Sequence, residues 1–147
     1  MVIRACRTED LAALEWGGEF THDRSLIEMV HDLSRAGTMA MLVADTGDEL
    51  VGQVWVDFAR SPQIATLWAL RVRPAWRRRG LGSALLAAAE ALARARRVPY
   101  TELEVDPANT PALQLYGRRG YSDAGRDTVG RIVLRKRIAA AGDHAAP

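Results

Sequence analysis

The chain has 147 residues and a mass of 16.1 kDa, 48% hydrophobic and 26% charged, which fits one globular domain around a single core and excludes a disordered or low-complexity chain. Twenty basic residues against 18 acidic leave +2 at pH 7, too little to announce a nucleic-acid or membrane partner, and a single cysteine, Cys6, excludes an internal disulfide or a multi-cysteine zinc site. No apolar run reaches the roughly 18 residues of a membrane span, and Arg4, Arg7, Glu9 and Asp10 stand where a signal peptide has its apolar stretch, so the expectation is a cytoplasmic protein.

Val2 to Arg7 reads as a short first strand. Thr8 is placed to cap a helix starting at Glu9 and Asp10 and ending at Gly17-Gly18; Ser25, with Glu28 as its box partner, is placed to cap a second that carries Leu26, Ile27, Val30 and Leu33 up to Gly37. Thr38 to Ala44, Leu50 to Ala59 and Ile64 to Val72 then read as three consecutive antiparallel strands, separated by Asp45-Thr46-Gly47-Asp48 and by Ser61-Pro62. After Pro74, a helix beginning at the Gly80-Leu81-Gly82 stretch sets Leu81, Leu85, Ala88, Ala89 and Leu92 on one face and Ser83, Glu90, Arg94 and Arg97 on another, ending near Arg97. Tyr100 to Val105 is a strand, Asn109 to Arg119 a short helix with Pro111 in its first turn, and Ile132 to Ile138 a last strand. The order predicts a mixed α/β (α+β) domain over residues 1–138 that combines antiparallel pairs with a strand-helix-strand crossover, and a frayed tail over 139–147.

Charge is unevenly spread. From Thr8 to Asp32 stand Glu9, Asp10, Glu15, Glu19, Asp23, Glu28 and Asp32 against Arg24 alone; from Arg71 to Pro99 stand Arg71, Arg73, Arg77, Arg78, Arg79, Arg94, Arg96 and Arg97 against Glu90 alone. Within the basic stretch, Leu70 to Ser83 runs from a strand through a glycine-containing loop into a helix. Such a junction offers uncommitted backbone N–H groups and the positive helix end to an anion, with a diphosphate as the natural guest. Gly80 and Gly82 also read as plain turn glycines. A dinucleotide fold is disfavoured by Leu85 where a third small residue belongs, and a triphosphate P-loop is excluded because no lysine precedes Lys136.

The residues RVRPAWRRRGLGSALL resemble the acyl-CoA-binding motif of the GNAT superfamily of N-acetyltransferases, with its Arg/Gln-x-x-Gly-x-Gly/Ala core at Arg77, Gly80 and Gly82. The block LEVDPANTPALQLYGRRGY is similar to the family's next strand and helix, through Leu103-Glu104-Val105, Asn109, Ala112, Leu115-Tyr116 and Gly120-Tyr121. The resemblance covers roughly Leu70 to Tyr121 and implies a mostly antiparallel central sheet flanked by about four helices, with acetyl-CoA as co-substrate and no metal. It implies that the Leu70, Arg71 and Val72 edge pairs with the pantetheine arm and that the loop from Arg77 through Arg78, Arg79, Gly80, Leu81 and Gly82 to Ser83 cradles the diphosphate. Asn109 would contact the cofactor or cap its helix, Tyr116 would protonate the departing thiolate, and Glu104 would be the general base.

Each assignment has a plainer counterpart: Tyr116 as helix packing, Glu104 and Glu102 as a solvated strand face, Asn109 as a cap only. The chain departs from a common family pattern in reading Ala65-Thr66-Leu67-Trp68 where many members carry a glutamate, which leaves Glu104 as the leading base with Asp57, Glu19 or ordered water as substitutes. His22, His31 and His144 lack metal-ligand spacing. The resemblance to ribosomal-protein alanine N-alpha-acetyltransferases implies a protein N-terminus as the amine acceptor. The acidic 8–32 segment, with Trp16, Phe20, Trp55 and Trp68 as aromatic walls, predicts a cationic one, which keeps a polyamine, an aminoglycoside or a lysine side chain open. Two other classes remain: a nucleic-acid-binding face built from Arg77 to Arg79 with Arg94, Arg96 and Arg97, and a catalytically idle acyl-CoA sensor. Monomer and homodimer are both compatible with the sequence.

Overall fold

The computed structural model describes residues 1–15 and 23–138. Alternating and continuous apolar runs in the first half give β1 (Val2–Ala5), β2 (Met39–Asp45), β3 (Leu50–Asp57) and β4 (Ile64–Val72), each antiparallel to the strand before it. The second half supplies β5 (Tyr100–Val105), β6 (Ser122–Arg126) and β7 (Ile132–Arg137). Together they form one seven-stranded sheet of order β1-β2-β3-β4-β5-β7-β6, with β4 and β5 as its parallel pair.

The two faces of the sheet carry separate apolar clusters. A 3-10 helix (Thr8–Leu14) and α1 (Arg24–Arg35) cover one face, where Leu11, Leu14, Ile27 and Val30 pack on Met41, Val43 and Trp55. Helices α2 (Leu81–Ala95) and α3 (Thr110–Arg118) belong to the other, where Leu85, Leu86, Ala89 and Tyr116 pack with Val54, Val56, Leu67, Leu103 and Leu134. The period of two along β5 therefore sends Thr101, Leu103 and Val105 into the α2 side and Glu102 and Glu104 to the α1 side.

The parallel pairing is short: Ile64 meets Tyr100, Ala65 meets Thr101 and Thr66 meets Glu102, and there it ends. Just beyond, Trp55 pairs with Trp68 but Gln53 with Arg71, which leaves Ala69 and Leu70 facing Val54 alone. This is a β-bulge, and Ala69 takes φ 55, a left-handed conformation unusual for a residue with a Cβ. The bulge bends β4, and from Leu67 to Val72 the strand has no pairing partner on its β5 side.

The fold class and the three consecutive antiparallel strands match the sequence expectation, and the bounds of β4 and β5 coincide with it. Differences lie at caps and edges. The first helical segment is 3-10 and capped from Arg7, whose N–H donates to Asp10 at 2.7 Å, rather than a helix capped by Thr8. For α1, Asp23 is the cap in place of Ser25, its carboxylate accepting from the Leu26 N–H at 2.8 Å. Strand β6 was not foreseen, because Ser122-Asp123-Ala124-Gly125-Arg126 is exposed throughout and carries no alternation to read. Gly17-Gly18 and the 139–147 tail lie outside the described residues. Among the described residues no helix is long and apolar enough to cross a membrane.

Helix α2 lies close on β3 because Gly52 has no side chain: a Cβ there would stand 2.9 Å from Leu85 Cδ1 and 3.3 Å from Leu81 Cδ2. Leu85 is fully buried and has little room to yield. Gly52→Val is expected to lower stability by about 1–3 kcal/mol through overpacking. A urea-denaturation midpoint equal to that of the parent would show that α2 accommodates the branch.

Candidate active site in the gap between two strands

The separation of β4 from β5 leaves one strand edge uncommitted and opens the sheet between its two faces. On the β4 wall lie Leu70, Arg71 and Val72, the residues expected to meet the pantetheine arm. Burial, with Arg73 nearby, lowers the pKa of Arg71, as expected for a guanidinium drawn partly out of water. The Val72 carbonyl accepts from Arg77 Nε at 3.1 Å, so the motif arginine turns back and fastens its loop to the strand.

From there the chain makes a 3-10 turn (Pro74–Trp76) and enters α2 through Arg78 at φ 62 and Gly80 at φ 80. Gly80 occupies the N-cap position and has no side chain to cap with, so the first-turn N–H groups of Leu81, Gly82 and Ser83 lack a side-chain cap. Uncapped amides, the positive end of a helix of 15 residues and adjacent arginines fit a diphosphate. Arg79 lies over the Trp76 ring at 4.9 Å. A Cβ at Gly82 would approach Leu115 Cδ2 of α3 to 3.3 Å, so this residue also sets how closely α3 sits on the helix end.

Asn109 caps α3, its Oδ1 accepting from the Ala112 N–H at 3.3 Å. Two turns on, the same helix carries Tyr116 into the apolar cluster on the α2 side, where burial alone pushes its hydroxyl up to about 12. Its ring meets Tyr121 at 6.0 Å, edge to face. The Tyr121 hydroxyl is held in turn, 2.8 Å from Thr101 Oγ1 and donating to Glu90 Oε2 at 3.0 Å, while Lys136 Nζ donates to Glu90 Oε1 at 3.0 Å. Glu90 is thus a buried, doubly bonded anchor rather than a member of a polar helix face; its partners Lys136 on β7 and Tyr121, both invisible to helical periodicity, explain the burial.

Glu104 stands on the opposite face. Its carboxylate pairs with Arg131 Nη2 at 2.7 Å, and Arg131 Nε also binds Asp127 at 2.7 Å. Burial opposes the charge on Asp127, but the backbone N–H groups of Arg131 and Val129, the Arg131 guanidinium and a hydrogen bond with the Glu104 side chain outweigh it and hold that carboxyl below the usual carboxylate range. Glu104, Asp127 and Arg131, with Arg60, Arg126 and Thr128, line an open depression of about 420 Å³. Sequence reasoning missed Asp127 and Arg131. Their turn belongs to the β6-β7 hairpin, which became visible only with β6.

Other sequence candidates fall elsewhere. Asp57 accepts from the Ala59 N–H at 2.8 Å and serves a turn; Glu19, Trp16, Phe20 and His22 lie outside the described residues. The acidic segment is largely committed locally: Asp10 pairs with Arg4 at 2.7 Å, Asp23 caps α1, and Glu15 and Glu28 share Arg24 at 3.3 and 3.0 Å. Trp55 and Trp68 pack edge to face at 4.7 Å, with Trp55 fully buried. The basic stretch is engaged as well: Arg96 covers the Phe58 ring at 3.9 Å and donates to the Gly37 carbonyl at 2.7 Å, and Arg94 reaches Glu90 at 4.0 Å.

Residues 6–121 match the profile of the acetyltransferase (GNAT) family. Mycothiol acetyltransferase of Clavibacter michiganensis subsp. michiganensis is 38% identical over 89 residues, which is 60% of this chain and 28% of that protein; this chain thus aligns with little more than a quarter of the length of that relative. Among solved structures, ribosomal-protein-S18-alanine N-acetyltransferase from Escherichia coli superposes with a TM-score of 0.78 at 23% identity, covering 99% of each chain. PaiA N-acetyltransferase from Thermoplasma acidophilum, in complex with coenzyme A, gives 0.81 at 18% identity over 93% of this chain and 98% of its own.

Gly82→Asp puts a carboxylate where the helix end presents its positive pole and crowds Leu115. Calorimetric titration with acetyl-CoA is expected to show at least about a tenfold loss of affinity, with an unchanged circular dichroism spectrum. Equal affinity would remove the α2 N-terminus from the cofactor site.

Proposed function

The chain belongs to the acetyltransferase (GNAT) family, and from that premise we propose that it transfers the acetyl group of acetyl-CoA to a primary amine by direct attack. The observation that carries this reading is the placement of Glu104, on β5 past the end of its pairing with β4, on one face of the sheet and of Tyr116 on the other. An amine entering from the Glu104 side and a thioester held on the Tyr116 side meet in that gap.

The chemistry then divides between the faces. An α-amino group has a pKa of about 7.7–8.0 and a lysine-like amine about 10.4, so a proton must leave the nucleophile. Glu104 takes it, directly or through a water, as the nitrogen bonds to the thioester carbonyl carbon. Backbone N–H groups on the unpaired β4 edge receive the developing oxyanion, and the bulge at Ala69 turns that edge toward the gap. As the carbon–sulfur bond breaks, Tyr116 gives its proton to the thiolate. Its raised pKa keeps the phenol protonated until that moment.

Leu70, Arg71 and Val72 border the pantetheine arm in this reading, and the loop from Arg78 to Ser83 binds the diphosphate. Arg77 holds that loop in place, and Asn109 contributes by capping the helix that carries Tyr116. Relatives named for mycothiol and for a ribosomal-protein alanine mark two acceptor classes, a small amine and a protein N-terminus. The nucleic-acid reading loses support, since Arg77, Arg79, Arg94 and Arg96 are turned onto the protein itself. An idle sensor differs from an enzyme in one measurable respect: it binds acetyl-CoA without releasing CoA to any amine.

Tyr116→Phe is expected to lower kcat by roughly tenfold or more while the acetyl-CoA Kd stays within about twofold. Unchanged turnover would take Tyr116 out of the chemistry. With the phenol raised to about 12, no loss of activity from its ionisation is expected below about pH 10. Glu104→Gln is expected to lower kcat by roughly tenfold or more; parental turnover would transfer the proton to water or another carboxylate.

A further inference from the structure

The depression beside Glu104 has an unbalanced charge pattern. Its lining counts three arginines, Arg60, Arg126 and Arg131, against two carboxylates, Glu104 and Asp127. Arg131 is fully engaged, bridging both carboxylates at 2.7 Å. Arg126 is engaged as well: its Nη1 lies 2.9–3.0 Å from the two oxygens of Asp123 and donates to the Gly125 carbonyl at 2.9 Å. Arg60, in the turn between β3 and β4, differs from both. It makes no ion pair among the described residues, yet its side chain forms part of the wall.

We propose that the acceptor is an amine that also carries a carboxylate, and that Arg60 is the residue that recognises this second group. The inference rests on the assignment of Glu104 to the amine side. Glu104 and Asp127 share one guanidinium and stand side by side, so this part of the lining offers carboxyl oxygens to which an ammonium can donate. Arg60, on the same lining and without an ion pair among the described residues, supplies the positive pole, with a planar donor fork matched to a carboxylate. A zwitterionic ligand satisfies both poles at once. A polycation would satisfy the first and be repelled at the second, which turns against the polyamine and aminoglycoside alternatives kept open by the acidic 8–32 segment, whose carboxylates are largely committed elsewhere.

The carboxylate has two possible sources, the α-carboxylate of a short amino-terminated molecule or an Asp or Glu side chain near the start of a protein. The experiment separates them. The full chain, in the presence of CoA, is titrated under NMR detection with trialanine as free acid and as amide. The same titration is run with trialanine amides bearing Asp, Asn or Lys at the second or third position. At least one carboxylate-bearing peptide is expected to bind about tenfold more tightly than its uncharged partner, with the Lys peptides weakest. Preference for the free acid points to the small molecule, preference for an Asp peptide to the protein N-terminus.

Arg60→Gln is expected to erase the preference and Arg60→Lys to restore part of it, a rescue that a purely structural role would not give. Equal affinity within every pair, a preference for Lys, no binding of any peptide, or a preference that survives Arg60→Gln would each overturn the proposal. A parallel titration with CoA alone reads the transferase assignment separately, because loss of CoA binding leaves the peptide comparison interpretable.

Discussion

Everything that gives this sheet a chemical use follows from the early end of the β4-β5 pairing. Three residue pairs hold the strands together at Ile64–Thr66 and Tyr100–Glu102, and then an extra residue on β4 bends it away. Ala69 at φ 55 is a costly conformation for a side chain with a Cβ, on the order of 1 kcal/mol or more. The surrounding structure holds it there: β3 pairs on one side, with Trp55 and Trp68 in edge contact immediately before the bulge and Gln53 opposite Arg71 immediately after. Backbone groups on the freed edge need partners, from water or from an extended ligand laid against them as another strand would be.

The sheet's period of two then determines what stands on either side of the gap. Since Leu103 and Val105 face the α2 side, Glu104 cannot, and since α3 packs on the α2 side, Tyr116 does. The proposed acid and base thereby stand on opposite faces of the sheet. That separation suits a reaction in which the proton lost by one substrate and the proton gained by the other leaving group belong to different entrances. Burial alone raises the Tyr116 hydroxyl, and an arginine faces the carboxylate of Glu104.

The sequence made legible those features whose causes are local. The bounds of β4 and β5, the Asn109 cap and the Gly80 entry into α2 follow from apolar pattern and from residues within one turn of where they act. What escaped it depends on distant partners. An alanine gives no sign that it will adopt a left-handed conformation; Glu90 looks like a surface residue until Lys136 and Tyr121 are brought to it by β7 and the α3-β6 turn. Asp23 displaced Ser25 as a cap because both residue types suit the position and only the backbone entry decides. The acidic and basic stretches misled in the same way. Counted along the chain they are one-sided, but folding gives Asp10 to Arg4, Arg96 to Phe58 and Arg94 to Glu90, so the linear pattern is mostly spent before any ligand arrives.

The two halves of the site are therefore made of different material. The proposed cofactor half is mainly backbone: an unpaired strand edge, two left-handed residues at Arg78 and Gly80, and an uncapped helix end. Many sequences can supply such groups, provided glycine stands at Gly80 and nothing large at Gly82. The proposed acceptor half is built from residues on three separate elements, with Glu104 on β5, Asp127 and Arg131 on the β6-β7 turn, and Arg60 on the β3-β4 turn. Substitution there changes charge and shape without touching the sheet. A fold shared at only 18% and 23% identity with two chains that are both named N-acetyltransferases is compatible with this division. In the proposed function, the backbone half would hold the acyl donor and the side-chain half would select the amine.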